Sequence, residues 1–248
     1  MKKLFLGLVL LYSSMFAGTI NIAVAANVSY AIEELIKEFN KTNPDTKIQV
    51  TLGSSGKLVA QIKNGAPFNI FMSANMDFPQ ALYDESIAIT KPVIYAEGAL
   101  AMFSSKELDF SKGIDLIKDS SILKIAIANP KTAPYGTAAI EVMKNAGLEE
   151  FIKDKLVYAE SISQVVTYAT TATDIGFIAK SSLYDDKLSK YKENINWVSL
   201  DTKLYKSIEQ GIVIINNAKD NSEVKAFYDF ILSAKAKEIF INYGYIVK

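Results

Sequence analysis

Residues 52–58, Leu-Gly-Ser-Ser-Gly-Lys-Leu, are the stretch best built to hold a small anion. They follow an apolar run at 48–52 that predicts a strand. They precede Leu-Val-Ala-Gln-Ile at 58–62, which predicts the first turns of a helix. A strand that turns through glycines and serines into a helix exposes backbone N–H groups and hydroxyls at the positive end of aligned peptide dipoles. Ser54 and Ser55 both lie in that turn. Several such helix starts, gathered around one point, would bind an anion with no charged side chain.

Composition removes most other chemistry. The chain has 248 residues, 50% of them hydrophobic, enough for one large domain or two lobes. It has no histidine, which excludes Ser-His-Asp and Cys-His catalysis and imidazole zinc sites. It has no cysteine, so no disulfide and no lipid-anchor thiol. Every basic residue is lysine, so no guanidinium can clamp an oxyanion in bidentate fashion. Acidic pairs such as Glu149-Glu150 and Asp185-Asp186 read as solvated helix ends, not as a metal cluster for phosphate-ester hydrolysis.

Met1-Lys2-Lys3 followed by an apolar run at 4–11 has the form of a secretory signal, with cleavage expected after Ala17. The run is too short to span a bilayer. Removing Lys2 and Lys3 from 27 basic residues leaves 25 against 27 acidic ones. That balance argues against nucleic acid or an acidic membrane surface as partner. The expected product is exported, periplasmic and freely soluble.

The elements that would position the donors come in order. Residues 19–25 predict a strand, and Ala26-Asn27-Val28-Ser29-Tyr30 leads into a helix marked by Ile32, Leu35, Ile36 and Phe39. Asn27 or Ser29 is the expected N-cap of that helix. Strands at 47–52 and 68–73, each followed by a helix, complete a βαβαβα run. Such a run predicts a parallel sheet with helices on both faces and ligands at the carboxyl edge of the strands. Residues 92–104 form a long extended segment broken by Gly98, and the pattern then restarts. Strands are expected at 123–128, 156–159, 174–179 and 196–200. Between the first two, the turn-rich loop 129–136 leads into a helix ended by Gly147, and Glu160-Ser161-Ile162-Ser163 opens another. A second extended segment at 207–216 crosses back, and the tail 221–240 carries helical apolar spacing. The plan is a two-lobed α/β protein of the hinged type. Each lobe is expected to be a mostly parallel sheet flanked by helices, the two joined by two crossover segments. The expected division is 1–17 signal, 18–97 plus 205–248 lobe 1, and 98–204 lobe 2.

Local matches in the right order carry a resemblance over nearly all of residues 20–248. They are A-V-A-A-N at 23–27, G-S-S-G-K-L-V-A-Q-I at 53–62, N-G-A-P-F-N-I-F-M-S-A at 64–74 and N-P-K-T-A-P-Y-G-T-A-A at 129–139. A-E-S-I at 159–162, D-I-G-F-I at 174–178 and V-K-A-F-Y-D-F-I at 224–231 extend it. With these in place, the chain resembles the periplasmic molybdate-binding proteins, the substrate-binding subunits of ABC importers. The resemblance implies a type II-like periplasmic-binding-protein fold and no enzymatic activity. It implies molybdate or tungstate as ligand and no cofactor, an inner-membrane ABC permease as partner, no membrane insertion, and a monomer. The family holds its dianion with hydroxyls and backbone N–H groups. Carried over by match, the contacts fall at Asn27 with Ala26 beside it, Ser55 with Ser54 beside it, Tyr135 in the proline loop, and the Ile162 N–H. Two departures are visible. Many relatives have serine at position 27. Many also carry a ligand tyrosine where this chain has Ala179, and the Tyr135 hydroxyl is expected to supply the lost donor. A donor-only pocket would reject protonated phosphate, whose O–H would have no partner. Sulfate differs only in radius, so a binder of another tetrahedral oxyanion such as sulfate is the alternative reading. A sensor subunit that binds the same ion is a further one.

Overall fold

In the computed structural model, residues 18–247 are described; the proposed export segment, 1–17, lies outside them. Among the described residues, ten strands form two five-stranded sheets. Strands β1 (Thr19–Ala25), β2 (Lys47–Gly53), β3 (Ile70–Met72) and β4 (Val93–Gly98) belong to the first sheet. Strands β5 (Leu100–Phe103), β6 (Ile125–Ala128), β7 (Leu156–Ala159), β8 (Ile175–Ala179) and β9 (Trp197–Ser199) form the second. Strand β10 (Ile208–Ile214) returns to the first. The orders are β2-β1-β3-β10-β4 and β7-β6-β8-β5-β9.

Each sheet is mixed. β2, β1 and β3 run parallel, as do β7, β6 and β8, but β10 and β5 run antiparallel to both their neighbours. Both reversed strands lie in or beside the extended segments that pass between the sheets. β4 ends at Gly98 and β5 begins at Leu100 in the other sheet, so the chain crosses with almost no loop.

The helices are α1 (Ile32–Phe39), α2 (Ser55–Lys63), α3 (Asp77–Asp84), α4 (Pro134–Asn145), α5 (Glu149–Ile152), α6 (Ile162–Thr171), α7 (Ser222–Ile231) and α8 (Ala234–Asn242). Alternation along the strands assigns them to faces. Ile22, Val24, Ile70, Met72, Ile212 and Ile214 pack with α1, α7 and α8. Ala23, Phe71 and Val213, one residue out of phase, pack with α2 and α3. The central strands are apolar on both faces, as buried parallel strands must be. The second sheet has its own core around Met102, Ile127, Phe177 and Ile178. Among the described residues, no helix is long and apolar enough to cross a membrane.

One local reading is corrected. Asn27 and Ser29 do not cap α1. Residues Ala26–Tyr30 form a 3-10 turn and α1 begins at Ile32, with no side-chain cap. The Asn27 amide is instead drawn into the core by Gln210 and Tyr245. The tail is two helices, because the Ser233 hydroxyl accepts from the Ala236 N–H and starts α8 afresh.

Candidate functional site

The carboxyl ends of β1, β2 and β6 and the turn after β7 lead into four helical starts. Asn27 is the second residue of its 3-10 turn and Ser55 the first of α2. Tyr135 is the second residue of α4, after Pro134 at the position where proline's missing N–H costs nothing. Ile162 is the first residue of α6, whose Ser161 cap accepts from the Gln164 N–H. First-turn N–H groups have no partner within their own helix.

Asn27, Ser54, Ser55, Tyr135, Ile162 and Ala26 all line one small, tightly closed cavity, of about 10 Å³, together with Gly53, Ala74 and Pro134. No lining residue carries a formal charge at neutral pH. Ser55 is buried, and its hydroxyl oxygen accepts from the Ala74 N–H at 3.0 Å, leaving the hydroxyl proton available. The Ser54 hydroxyl is buried with no partner. A buried hydroxyl without a partner costs roughly 1–3 kcal/mol, so this one favours a bound acceptor. A larger recess nearby, about 340 Å³, is lined by Asp77, Glu141 and Glu209 against Lys206, and its net negative charge disfavours an anion. Among the described residues, no group of three or more Asp or Glu side chains is placed to hold a metal ion.

The two halves meet across the site. Gly56 N–H donates to the Thr132 carbonyl at 2.9 Å, and the Ser181 hydroxyl donates to the Asn27 carbonyl at 3.0 Å. Lys57 is not in the lining; its ammonium pairs with Glu160 at 2.7 Å, with both side chains about half exposed. Exposed pairs contribute about 0.2–1 kcal/mol. Glu160→Gln is therefore expected to weaken ligand affinity by less than about fivefold, an effect that shrinks further in high salt. Calorimetry at two salt concentrations checks this, and a much larger loss would make the pair essential to closure.

The sequence did not point to the residues behind the cavity. Gln210, fully buried on β10, accepts from Asn27 Nδ2 at 2.8 Å and from the Tyr95 hydroxyl at 2.8 Å. The Tyr245 hydroxyl donates to the Asn27 carbonyl at 2.7 Å. The Tyr135 phenol accepts from Gln210 Nε2 at 3.3 Å, and lies so close to Gly98 that a Cβ there would overlap it. The phenol is thus engaged with Gln210, while the Tyr135 N–H lies in the first turn of α4, where N–H groups have no partner within the helix. Ala179, where the resemblance marks a missing tyrosine, is buried at the end of β8. Burial holds the Tyr95, Tyr135 and Tyr245 phenols above the ordinary range, so all three stay neutral donors at physiological pH.

Comparison with known proteins places the chain. Residues 20–246 match the family described as bacterial extracellular solute-binding proteins. The molybdate-binding protein ModA of Azotobacter vinelandii is 34% identical over 242 residues, covering 97% of this chain and 94% of the relative. ModA of Rhodobacter capsulatus is 35% identical over 235 residues, covering 94% and 90%. The solved periplasmic molybdate-binding protein of Azotobacter vinelandii superposes with a TM-score of 0.85 at 27% identity, over 92% of this chain and 99% of that one.

Proposed function

The chain belongs to the bacterial extracellular solute-binding protein family, and from that premise we propose that it captures molybdate, or the near-isosteric tungstate, and delivers it to an ABC importer. It acts outside the cytoplasm as a non-enzymatic transport component. The observation that carries this reading is the convergence of four helical starts on one small, uncharged cavity.

In this reading Asn27, Ser55, Tyr135 and Ile162 hold the oxyanion, chiefly through N–H groups and the Ser55 hydroxyl, and Ser54 and Ala26 complete the wall. Each helix start contributes about half a positive charge. A hydrogen bond to a charged acceptor contributes roughly 1.5–3 kcal/mol. Four or five together give about 6–15 kcal/mol, a range that brackets the approximately 8 kcal/mol of micromolar affinity and must also cover the ordering of the lobes. The units that close are residues 18–97 with 205–248, and residues 98–204. The strand membership of β4, β5, β9 and β10 supports that division. We further read residues 1–17 as an export signal and the mature protein as a monomer that meets its permease at the inner membrane.

A thermal-shift panel of molybdate, tungstate, sulfate and phosphate on residues 18–248 tests the reading. A ligand at 100 times its Kd stabilises the folded state by about 2.7 kcal/mol. For a protein of this size that raises Tm by about 5–10 °C. Molybdate and tungstate are expected to produce that shift, with sulfate and phosphate well below it at equal concentration. A sulfate shift equal to that of molybdate would favour the broader oxyanion reading, and no shift from any of the four would end it.

A further inference from the structure

The carboxamides of Asn27 and Gln210 lie end to end behind the cavity, both fully buried. As placed, Asn27 Nδ2 donates to Gln210 Oε1 at 2.8 Å and to the Tyr245 hydroxyl at 3.0 Å. Gln210 Nε2 donates to the Tyr135 hydroxyl at 3.3 Å. This register leaves Asn27 Oδ1 buried without a partner. It also uses the Tyr135 oxygen as an acceptor, so the phenol donates nothing to Gln210.

The two ends of a carboxamide have the same shape, and only their partners choose between them. Turning both amides by half a turn moves no heavy atom to a new position and changes every donor. Gln210 Nε2 then donates to Asn27 Oδ1 and to the Tyr95 oxygen, whose own proton goes to the Ser73 carbonyl at 3.3 Å. The Tyr135 phenol donates to Gln210 Oε1. Tyr245 turns its single proton to Asn27 Oδ1 and gives up its 2.7 Å bond to the Asn27 carbonyl, which Ser181 keeps satisfied at 3.0 Å. Asn27 Oδ1 is then satisfied twice. The corner of Asn27 that held a bare oxygen now presents an NH₂. A buried NH₂ with no acceptor is costly, and an oxyanion is an acceptor on every side. Asn27 lines the cavity.

We propose that Gln210 is a positioning residue for the anion site: it sets which end of the Asn27 carboxamide faces the cavity, and the anion selects the register that presents the NH₂. This rests on the oxyanion reading above. It also links the site to closure, because the same turn makes the Tyr135 phenol the donor in its bond to Gln210, between one half of the protein and the other.

Gln210→Glu tests it. An ionised carboxylate only accepts, so it holds the Asn27 NH₂ toward itself and Oδ1 toward the ligand. The protonated carboxyl carries a donor and restores the binding register. Burial raises the titration of such a carboxyl. The groups facing it are the neutral phenols of Tyr95 on β4 and Tyr135 on α4, with the Tyr245 phenol, after α8, on the far side of the Asn27 amide. Calorimetry with micromolar molybdate, between about pH 5.5 and 8.5, reads the result. The wild-type Kd is expected to vary less than about threefold, and the variant's to weaken up to about tenfold per pH unit above the titration of the new carboxyl. A variant profile parallel to wild type overturns the proposal. A second measurement needs no variant. Proximity signals between the Asn27 side-chain NH₂ and the Tyr245 ring, by isotope-edited NMR, are expected in the ligand-free protein and lost with saturating molybdate. Their persistence in the loaded protein overturns the proposal. Failure of wild type to bind molybdate, tungstate or sulfate instead removes the reading on which it rests.

Discussion

Gly136→Ala is expected to weaken oxyanion binding by about 100-fold or more and to destabilise the fold by about 3 kcal/mol. The start of α4 lies directly on the end of β6. A Cβ at position 136 would overlap the Ala128 carbonyl oxygen and stand 2.7 Å from its carbon and 2.9 Å from the Pro130 nitrogen. All three atoms are backbone, at the root of the loop that carries Tyr135, so no side chain can rotate away. The helix start must lift from the strand. Tyr135, one residue earlier, then carries its N–H out of line with Ser55 and Ile162. One lost bond to a charged acceptor costs roughly 1.5–3 kcal/mol, and loss of the Gly56–Thr132 contact across the site would add to it. Urea unfolding separates the two effects. The neighbouring Thr137→Ala, whose exposed hydroxyl donates to the Pro130 carbonyl, serves as control and should bind within about threefold of wild type. A Gly136→Ala protein that binds as tightly as that control would show that the α4 start does not hold the ligand.

Gly136 also shows how far local sequence reaches. The strands and most helix starts were readable because apolar periodicity and turn residues are local signals. Ser55 stood out between two glycines, and its place in the cavity follows from the β2-to-α2 turn alone. Tyr135 and Ile162 were reached only through the resemblance, since neither side chain advertises a backbone donor. Local signals make Asn27 or Ser29 a helix cap, because capping is what such residues at a strand-to-helix turn usually do, and only the resemblance makes Asn27 a ligand contact. Its actual partners, Gln210 and Tyr245, are 183 and 218 residues away, and no local rule pairs them. Gln210 had left a faint signal as the one amide in the apolar run of β10. The antiparallel β5 and β10 were not legible either, since direction depends on where a crossing strand docks. The same holds for the α7–α8 break, where one serine interrupts an unbroken apolar pattern.

Above about pH 10 the protein is expected to lose stability steeply, by about 4 kcal/mol per pH unit from three buried phenols alone. Tyr95, Tyr135 and Tyr245 are buried, and burial pushes each phenol well above its ordinary value near 10. Below that value both folded and unfolded chains keep these protons, so the contribution to stability is fully present. As pH rises past it, the unfolded chain releases them and the folded one does not, so unfolding is favoured by about 1.4 kcal/mol per unit for each phenol. Tyr30, pushed up to about 12 by burial and by Asp185, adds to the slope until its own proton leaves. Domains of this kind are stable by about 5–15 kcal/mol, so cooperative unfolding should follow within a few pH units. Urea titrations from neutral to alkaline pH read the slope, and Tyr95→Phe should lower it by about a third while also losing the bond to Gln210. An unchanged slope in that variant would mean that Tyr95 ionises without unfolding. The functional argument lies in what the folded state refuses to do. These phenols surround the amides behind a cavity meant for a doubly negative ion, and a phenolate there would repel it. Loss of binding and loss of fold should therefore coincide in one alkaline transition, because the packing that keeps the phenols neutral is the packing that holds the anion's donors in place.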